Sequence, residues 1–167
     1  MVMKIHLVGG YSGSGKTTAI ASACKILADK NISTSIIKDD QVGYVVDTSS
    51  SRKFGVPFAK VTGGCFCCNY NQLDFQLDSL MKESNPSVIF AEYSGSCTNL
   101  IGSLLKPLIA SKKKEIELAN FSTFVDAQLL LKYLEGSEMP LSVENKIIWG
   151  KHLLEAEILI VNRIDLL

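Results

Sequence analysis

The chain has 167 residues, enough for one domain with a proper core, and its 17 basic and 17 acidic residues leave no net charge. That balance excludes bulk attraction to nucleic acid and a polyanionic character alike. Five cysteines, an odd number, favour metal or redox use over a disulfide framework and lead to the expectation of a cytoplasmic protein.

The opening "MVMKIHLVGG" holds an apolar run too short for a signal peptide, and no stretch approaches the ~20 apolar residues of a membrane span. "KIHLV" (4–8) reads as a buried strand, followed by "GGYSGSGKTT" and a helix on which Ile20, Cys24 and Leu27 recur at helical spacing. "STSIIK" (33–38) is the next strand. Residues 39–60 carry glycine, serine and charges and are long for a connection, a property of functional loops. Within them Asp47 and Thr48 are candidates for a switch that senses a γ-phosphate. "VTGGCFCC" (61–68) comes next, then a helix marked by Leu73, Leu77, Leu80 and Met81.

"SVIFAE" (87–92) lacks alternation, so it is a buried strand that ends on Glu92. Leu100, Ile101, Leu104, Leu105 and Leu108 form another helical stripe, which Pro107 should kink or end. The basic run Lys112-Lys113-Lys114 reads as a solvated loop. "STFVDA" (122–127) and "EILIVN" (157–162) read as the last buried strands, and Val143, Ile147 and Leu154 mark a helix between them. Strands alternating with helices predict an α/β fold, a largely parallel sheet with helices on both faces. Functional loops then gather at the carboxyl ends of the strands.

The first of those loops is the most specific signal. Gly10, Gly15, Lys16 and Thr17 satisfy G-x-x-x-x-G-K-[ST] between a strand and a helix. Backbone N–H groups of such a loop turn inward around phosphates, and the helix N-terminus adds partial positive charge. Ser12, Gly13, Ser14 and Thr18 complete the stretch that would surround a nucleoside triphosphate. Lys16 would reach the β- and γ-phosphates, and the Thr17 hydroxyl would hold magnesium. Glu92, at the tip of its strand, is the candidate acid for the magnesium shell, and Gly95 could offer a backbone N–H near the γ-phosphate.

After the last strand, Asn162-Arg163-Ile164-Asp165 sets a carboxylate where N1–H and the 2-amino group of guanine could both donate to it. Adenine offers no such pair of donors, and a buried acceptor would go unpaired. The pattern is similar to the N-K-x-D guanine motif, with Arg163 in the lysine position.

The cysteines ask for a different chemistry. Adjacent Cys67 and Cys68 cannot converge on one atom from a straight strand, so the motif needs an irregular loop, which Gly63-Gly64 ease. Thiolates are soft ligands suited to zinc or copper(I), and Cys65, Cys67 and Cys68 would leave a fourth tetrahedral position open. Phe66 would pack inward or shield them. Cys24 lies on a core stripe and reads as a buried thiol, whereas Cys97 is a candidate fourth ligand. His6 and His152 receive no ligand role.

"GGYSGSGKTT", "VVDT", "VTGGCFCC", "AEYSGSC" and "VNRID" stand in the order seen in CobW-like (cobalamin-synthesis-type) P-loop GTPases. The chain resembles that family over nearly its whole length, the glycine-led C-x-C-C being the most specific element. The family is one of GTP-hydrolysing metal-insertion proteins that handle zinc, cobalt or related ions, with relatives serving urease and hydrogenase nickel centres. The resemblance implies GTP or GDP and Mg2+ at Lys16, Thr17 and Glu92, Zn2+ or Co2+ at Cys65, Cys67 and Cys68, and guanine at Asn162 and Asp165. Lys16, Thr17, Asp47 and Glu92 are together the candidate catalytic residues. Three departures stand out. Asp40-Gln41 replaces an Asn-Glu pair, Tyr93 follows Glu92 where small residues or proline are usual, and the sequence stops after the guanine motif. Relatives continue into a C-terminal domain, so residues 1–167 are expected to be the GTPase domain of a longer protein or a short member.

The expected partners are a client metalloprotein or a corrinoid-pathway protein, with a homodimer possible and neither nucleic acid nor membrane involved. Beside a pure signalling GTPase, which would have no use for the cysteine cluster, two alternatives remain on the sequence. A P-loop small-molecule kinase would use ATP and a lid of arginines, but the chain has only Arg52 and Arg163. A redox or corrinoid-protein-associated GTPase would use the thiols differently.

Overall fold

A computed structural model describes residues 2–40, 55–93, 95, 99–112 and 115–167. Asp47, Thr48, Arg52 and Cys97 lie outside the described residues.

The sheet is built from β1 (Met3–Gly10), β2 (Thr34–Asp40), β3 (Phe58–Thr62), β4 (Val88–Glu92), β5 (Ile116–Leu118), β6 (Ser122–Asp126) and β7 (Ile158–Asn162). Its strand order is β3-β2-β4-β1-β6-β7, with β5 pairing β1, and every paired strand runs parallel. Helices α1 (Lys16–Asp29), α2 (Tyr70–Ser84), α3 (Lys106–Lys112), α4 (Ala127–Leu134) and α5 (Val143–Glu155) connect them. Parallel pairing requires such crossovers, and they bury the central strands on both sides; the edge strand β7, expected to be buried, leaves Ile158, Leu159 and Val161 41, 43 and 42% exposed. Against one side pack Leu73, Leu77 and Leu80 of α2 with Leu100, Leu104 and Leu108; against another pack Ile20 and Cys24 of α1.

The predicted α/β architecture is therefore present; β5 and α4 are elements that the sequence reading did not include, and other local differences follow. β2 runs on to Asp40 and β3 begins at Phe58, so both ends of the irregular segment 39–60 belong to the sheet. Pro107 does not end its helix. A π-helical turn, Ile101–Leu105, runs directly into α3 and widens the helix ahead of Pro107, which has no N–H to donate back to it. Helix α5 forms, but its marker residues Val143, Ile147 and Leu154 are 69, 56 and 88% exposed, while Trp149 and His152 face the core. Trp149 is held there by Val125 and Met139 and by an edge contact to Tyr133 at 5.2 Å between ring centroids.

Register places the functional residues. Val8 on β1, Glu92 on β4 and Lys38 on β2 are direct cross-strand partners near the carboxyl ends of three adjacent strands. The thiol loop follows β3, beside β2, and its first cysteine, Cys65, comes three residues after the last sheet pair, Asp40 with Thr62.

Candidate functional site

The phosphate loop turns from β1 into α1 through Gly15, whose φ of 97° lies in the left-handed region open to glycine. Among residues 12–18 all but Ser14 line a cavity of about 360 Å³, joined by Lys38, Glu92 and Gly95. Lys16 is buried there and its Nζ donates to the carbonyl oxygens of Gly10 at 2.7 Å and Tyr11 at 3.0 Å. Burial pushes the Lys16 ammonium below the usual lysine range; Glu92 and Asp39 pull it back up and Lys38 adds to the depression. The α1 N-terminus, with its free N–H groups, faces the same space, so the loop has the donors and charge that phosphates need.

Thr17 Oγ1 donates to Glu92 Oε1 at 2.7 Å, and the Glu92 carboxylate is only 5% exposed. A hydroxyl next to a buried carboxylate on the phosphate cavity is the donor set that magnesium takes beside nucleotide phosphates. The same Oε1 accepts from Lys38 Nζ at 3.1 Å, and Nζ also lies 3.5 Å from Thr17 Oγ1. The sequence reading missed Lys38, which sits in a buried strand directly opposite Glu92. Its signal was a charged "KDD" ending an otherwise apolar run, but only the β2–β4 register shows what the lysine faces.

The two ends of the Asn162-Arg163-Ile164-Asp165 stretch have different surroundings. Asn162 Nδ2 donates to the Ser14 carbonyl at 2.9 Å and packs against Gly15, so it braces the phosphate loop. Asp165 lies in a 3-10 turn, Ile164–Leu166, with its side chain in solvent. Arg163 takes a φ of 61° and donates through Nη1 to Asp126 Oδ2 at 2.9 Å. Asp126 also caps α4 by accepting from Gln128 N and Leu129 N. A second cavity of about 270 Å³ has Ser14, Asp126, Lys132 and Arg163 among its lining residues.

The thiols converge as an irregular loop. Cys65 Sγ lies 2.9 Å from Cys67 Sγ and 3.0 Å from Cys68 Sγ, and all three sulfurs fall within 4.8 Å of one another. Gly63, at φ 78°, makes the bend, and its N–H donates to the Asp40 carbonyl at 3.0 Å. Asn69 closes the loop, its side chain donating to Thr62 O at 2.9 Å and its N–H to Cys65 O at 3.0 Å. Phe66 is buried in the core under the loop, Cys65 is buried beside it, and Cys68 is exposed. Hydrogen bonding with Cys65, and then its charge, pushes the Cys68 thiol up. Buried Cys65 and exposed Cys68 thus bracket a site reachable from outside. Three converging thiols fit a soft metal ion with one position left open.

Lys16, Thr17, Glu92 and Gly95 are thus gathered around one cavity, Asn162 touches its loop, and Cys65, Cys67 and Cys68 form a separate cluster. Cys24 is buried in the core, and burial raises its thiol. His6 accompanies Ser122 at 2.9 Å, and burial lowers it.

A parallel sheet with G-x-x-x-x-G-K-T between its first strand and helix defines a P-loop nucleotide-binding domain. More narrowly, the chain belongs to the CobW/HypB/UreG family, whose nucleotide-binding domain matches residues 4–167. No curated protein matches the sequence. Among solved structures, the signal recognition particle receptor FtsY from Elizabethkingia anophelis is similar in fold. It is 12% identical with a TM-score of 0.53, over 94% of this chain and 57% of that one. The signal recognition particle 54 kDa protein from Aeropyrum pernix K1, in complex with GDP, is 16% identical with a TM-score of 0.52, over 77% and 30%. The hydrogenase maturation factor HypB from Archaeoglobus fulgidus is 16% identical with a TM-score of 0.47, over 90% and 78%. The chain spans little more than half the length of the FtsY protein it matches. Among the described residues no helix is long and apolar enough to cross a membrane.

Proposed function

We propose that the protein binds and hydrolyses GTP and uses the cycle to take up and release zinc or cobalt at Cys65, Cys67 and Cys68. The receiver is a client metalloprotein or a corrinoid-pathway protein. The observation that carries this reading is the thiol loop's attachment. Gly63 N–H is hydrogen-bonded to the end of β2, the strand whose Lys38 lines the phosphate cavity. One strand therefore touches both sites. A nucleotide-dependent shift at its tip would move the thiols, and linkage requires metal to alter nucleotide affinity by the same factor.

In this reading Lys16 and the loop N–H groups hold the β- and γ-phosphates, Thr17 and Glu92 hold magnesium, and Asn162 with Asp165 selects guanine. Magnesium supplies charge neutralisation on the phosphates when bound. In hydrolysis a water oxygen bonds to the γ-phosphorus as the bridging bond to the β-phosphate breaks, giving GDP and phosphate. Tetrahedral thiolates about 2.3 Å from zinc are about 3.8 Å apart. The sulfurs at 2.9 and 3.0 Å would need to spread by less than about 1 Å, which an irregular loop with one exposed member allows. Reduced thiols accord with a cytoplasmic location.

The test is to measure hydrolysis of GTP and ATP side by side, together with zinc stoichiometry, on the protein and on Cys65→Ser, Cys67→Ser and Cys68→Ser variants. The reading expects GTP to be preferred and one zinc per chain to be lost in each variant. Preference for ATP, or zinc retained without the thiols, contradicts it.

A further inference from the structure

Among the described residues, Lys38 sets a cation of the chain's own directly beside the magnesium candidates. Glu92 Oε1 accepts from two donors, the Thr17 hydroxyl at 2.7 Å and the Lys38 ammonium at 3.1 Å. Nζ stands only 3.5 Å from Thr17 Oγ1, so it faces both oxygens at once. A magnesium ion bound to the Thr17 oxygen would lie about 2.1 Å from it, within a few ångströms of Nζ. Two cations that close, both facing one carboxylate oxygen, repel each other, and the ammonium is the one on a flexible stem. The geometry allows it to leave, because the Lys38 side chain is 37% exposed while Glu92 is 5% exposed. Its position is nonetheless built in, for Lys38 and Glu92 are direct partners in the β2–β4 register.

We propose that Lys38 is a built-in counter-cation of the magnesium position, competing with the divalent ion for Glu92 and Thr17. It is a positioning residue that keeps the buried carboxylate directed at the Thr17 hydroxyl and yields it when the metal arrives with nucleotide. Since Lys38 lines the phosphate cavity, the displaced ammonium stays beside the phosphates. The inference rests on the reading of Thr17 and Glu92 as the magnesium holders. It adds that magnesium affinity here is set partly by a residue two positions before Asp40, the anchor of the thiol loop.

The test follows the fluorescence of N-methylanthraniloyl-GDP on the full chain as magnesium chloride is titrated. It compares the wild type with Lys38→Gln, which keeps a donor and loses the charge, and Lys38→Arg, which keeps the charge. Each variant is read as its own magnesium half-saturation, so a modest change in folding stability does not enter. An ion pair with one half-exposed partner predicts that Lys38→Gln lowers the magnesium needed about fivefold, while Lys38→Arg stays within about twofold of wild type. Unchanged or increased magnesium demand in Lys38→Gln overturns the competition, as does Lys38→Arg behaving like Lys38→Gln. If the wild type binds no guanine nucleotide, the nucleotide reading itself fails and takes this inference with it. If nucleotide binds but Lys38→Gln changes nothing, only the inference fails.

Discussion

Replacing Gly15 with alanine tests the bond between Asn162 and the phosphate loop. Gly15 has a φ of 97° and a ψ of 6°, and a Cβ there would overlap Asn162 Nδ2. Left-handed backbone costs a residue with a Cβ about 1–2 kcal/mol. Turning Asn162 aside breaks its 2.9 Å bond to the Ser14 carbonyl, a further loss of about 1 kcal/mol. Gly15→Ala should therefore destabilise the domain by about 2–3 kcal/mol, and Asn162→Ala alone by about 1 kcal/mol. With both changes the collision is gone, so the second substitution should add only its backbone part, and the cycle should show a coupling of about 1 kcal/mol. Urea denaturation followed by fluorescence measures this, since Trp149 is the only tryptophan and is buried. Equal costs of Gly15→Ala in the two backgrounds would refute the brace.

The remaining predictions concern the other sites. Glu92→Gln removes the charge that faces Thr17 and Lys38, so GTP hydrolysis in magnesium should fall at least about tenfold in steady-state assays. Cys65→Ser places a hydroxyl in the core and should lower stability by about 1–2 kcal/mol in urea melts, while exposed Cys68→Ser stays within about 0.5 kcal/mol. Both should lose zinc, so stability and metal binding separate. For Lys16 the folded pKa lies below its ordinary value of 10.5, so between the two values the unfolded chain holds the extra proton. Folding stability should then rise with pH across that interval relative to Lys16→Met, as denaturation at several alkaline pH values would show. A difference that falls with pH would contradict the burial account.

What the sequence revealed depends on how local each feature is. The phosphate loop was legible because strand, glycines, lysine and threonine are contiguous. The thiol cluster was legible for the same reason, and of the two places open to Phe66 the structure takes the inward one. Asn162 was visible as part of a motif but not as a brace on Ser14, a contact across 148 positions of chain. Lys38 was invisible because its role arises from β2 lying beside β4. The strand "FAKVT" hid inside an irregular stretch, since only pairing with β2 makes a strand of five residues there. Helix α5 misled differently. Its apolar stripe lies outside while Trp149 and His152 fill the core, so composition located the helix but not its buried face.

The measurement that bears most directly on the central claim is zinc affinity by chelator competition, in GDP and in a non-hydrolysable GTP analogue. The Cys65/Cys67/Cys68→Ser protein is the control. The account predicts stoichiometric zinc binding that is absent from the control and changes at least about fivefold between the two nucleotides. Equal zinc affinity in both states would contradict it, leaving a nucleotide site and a thiol site on one domain with no exchange between them.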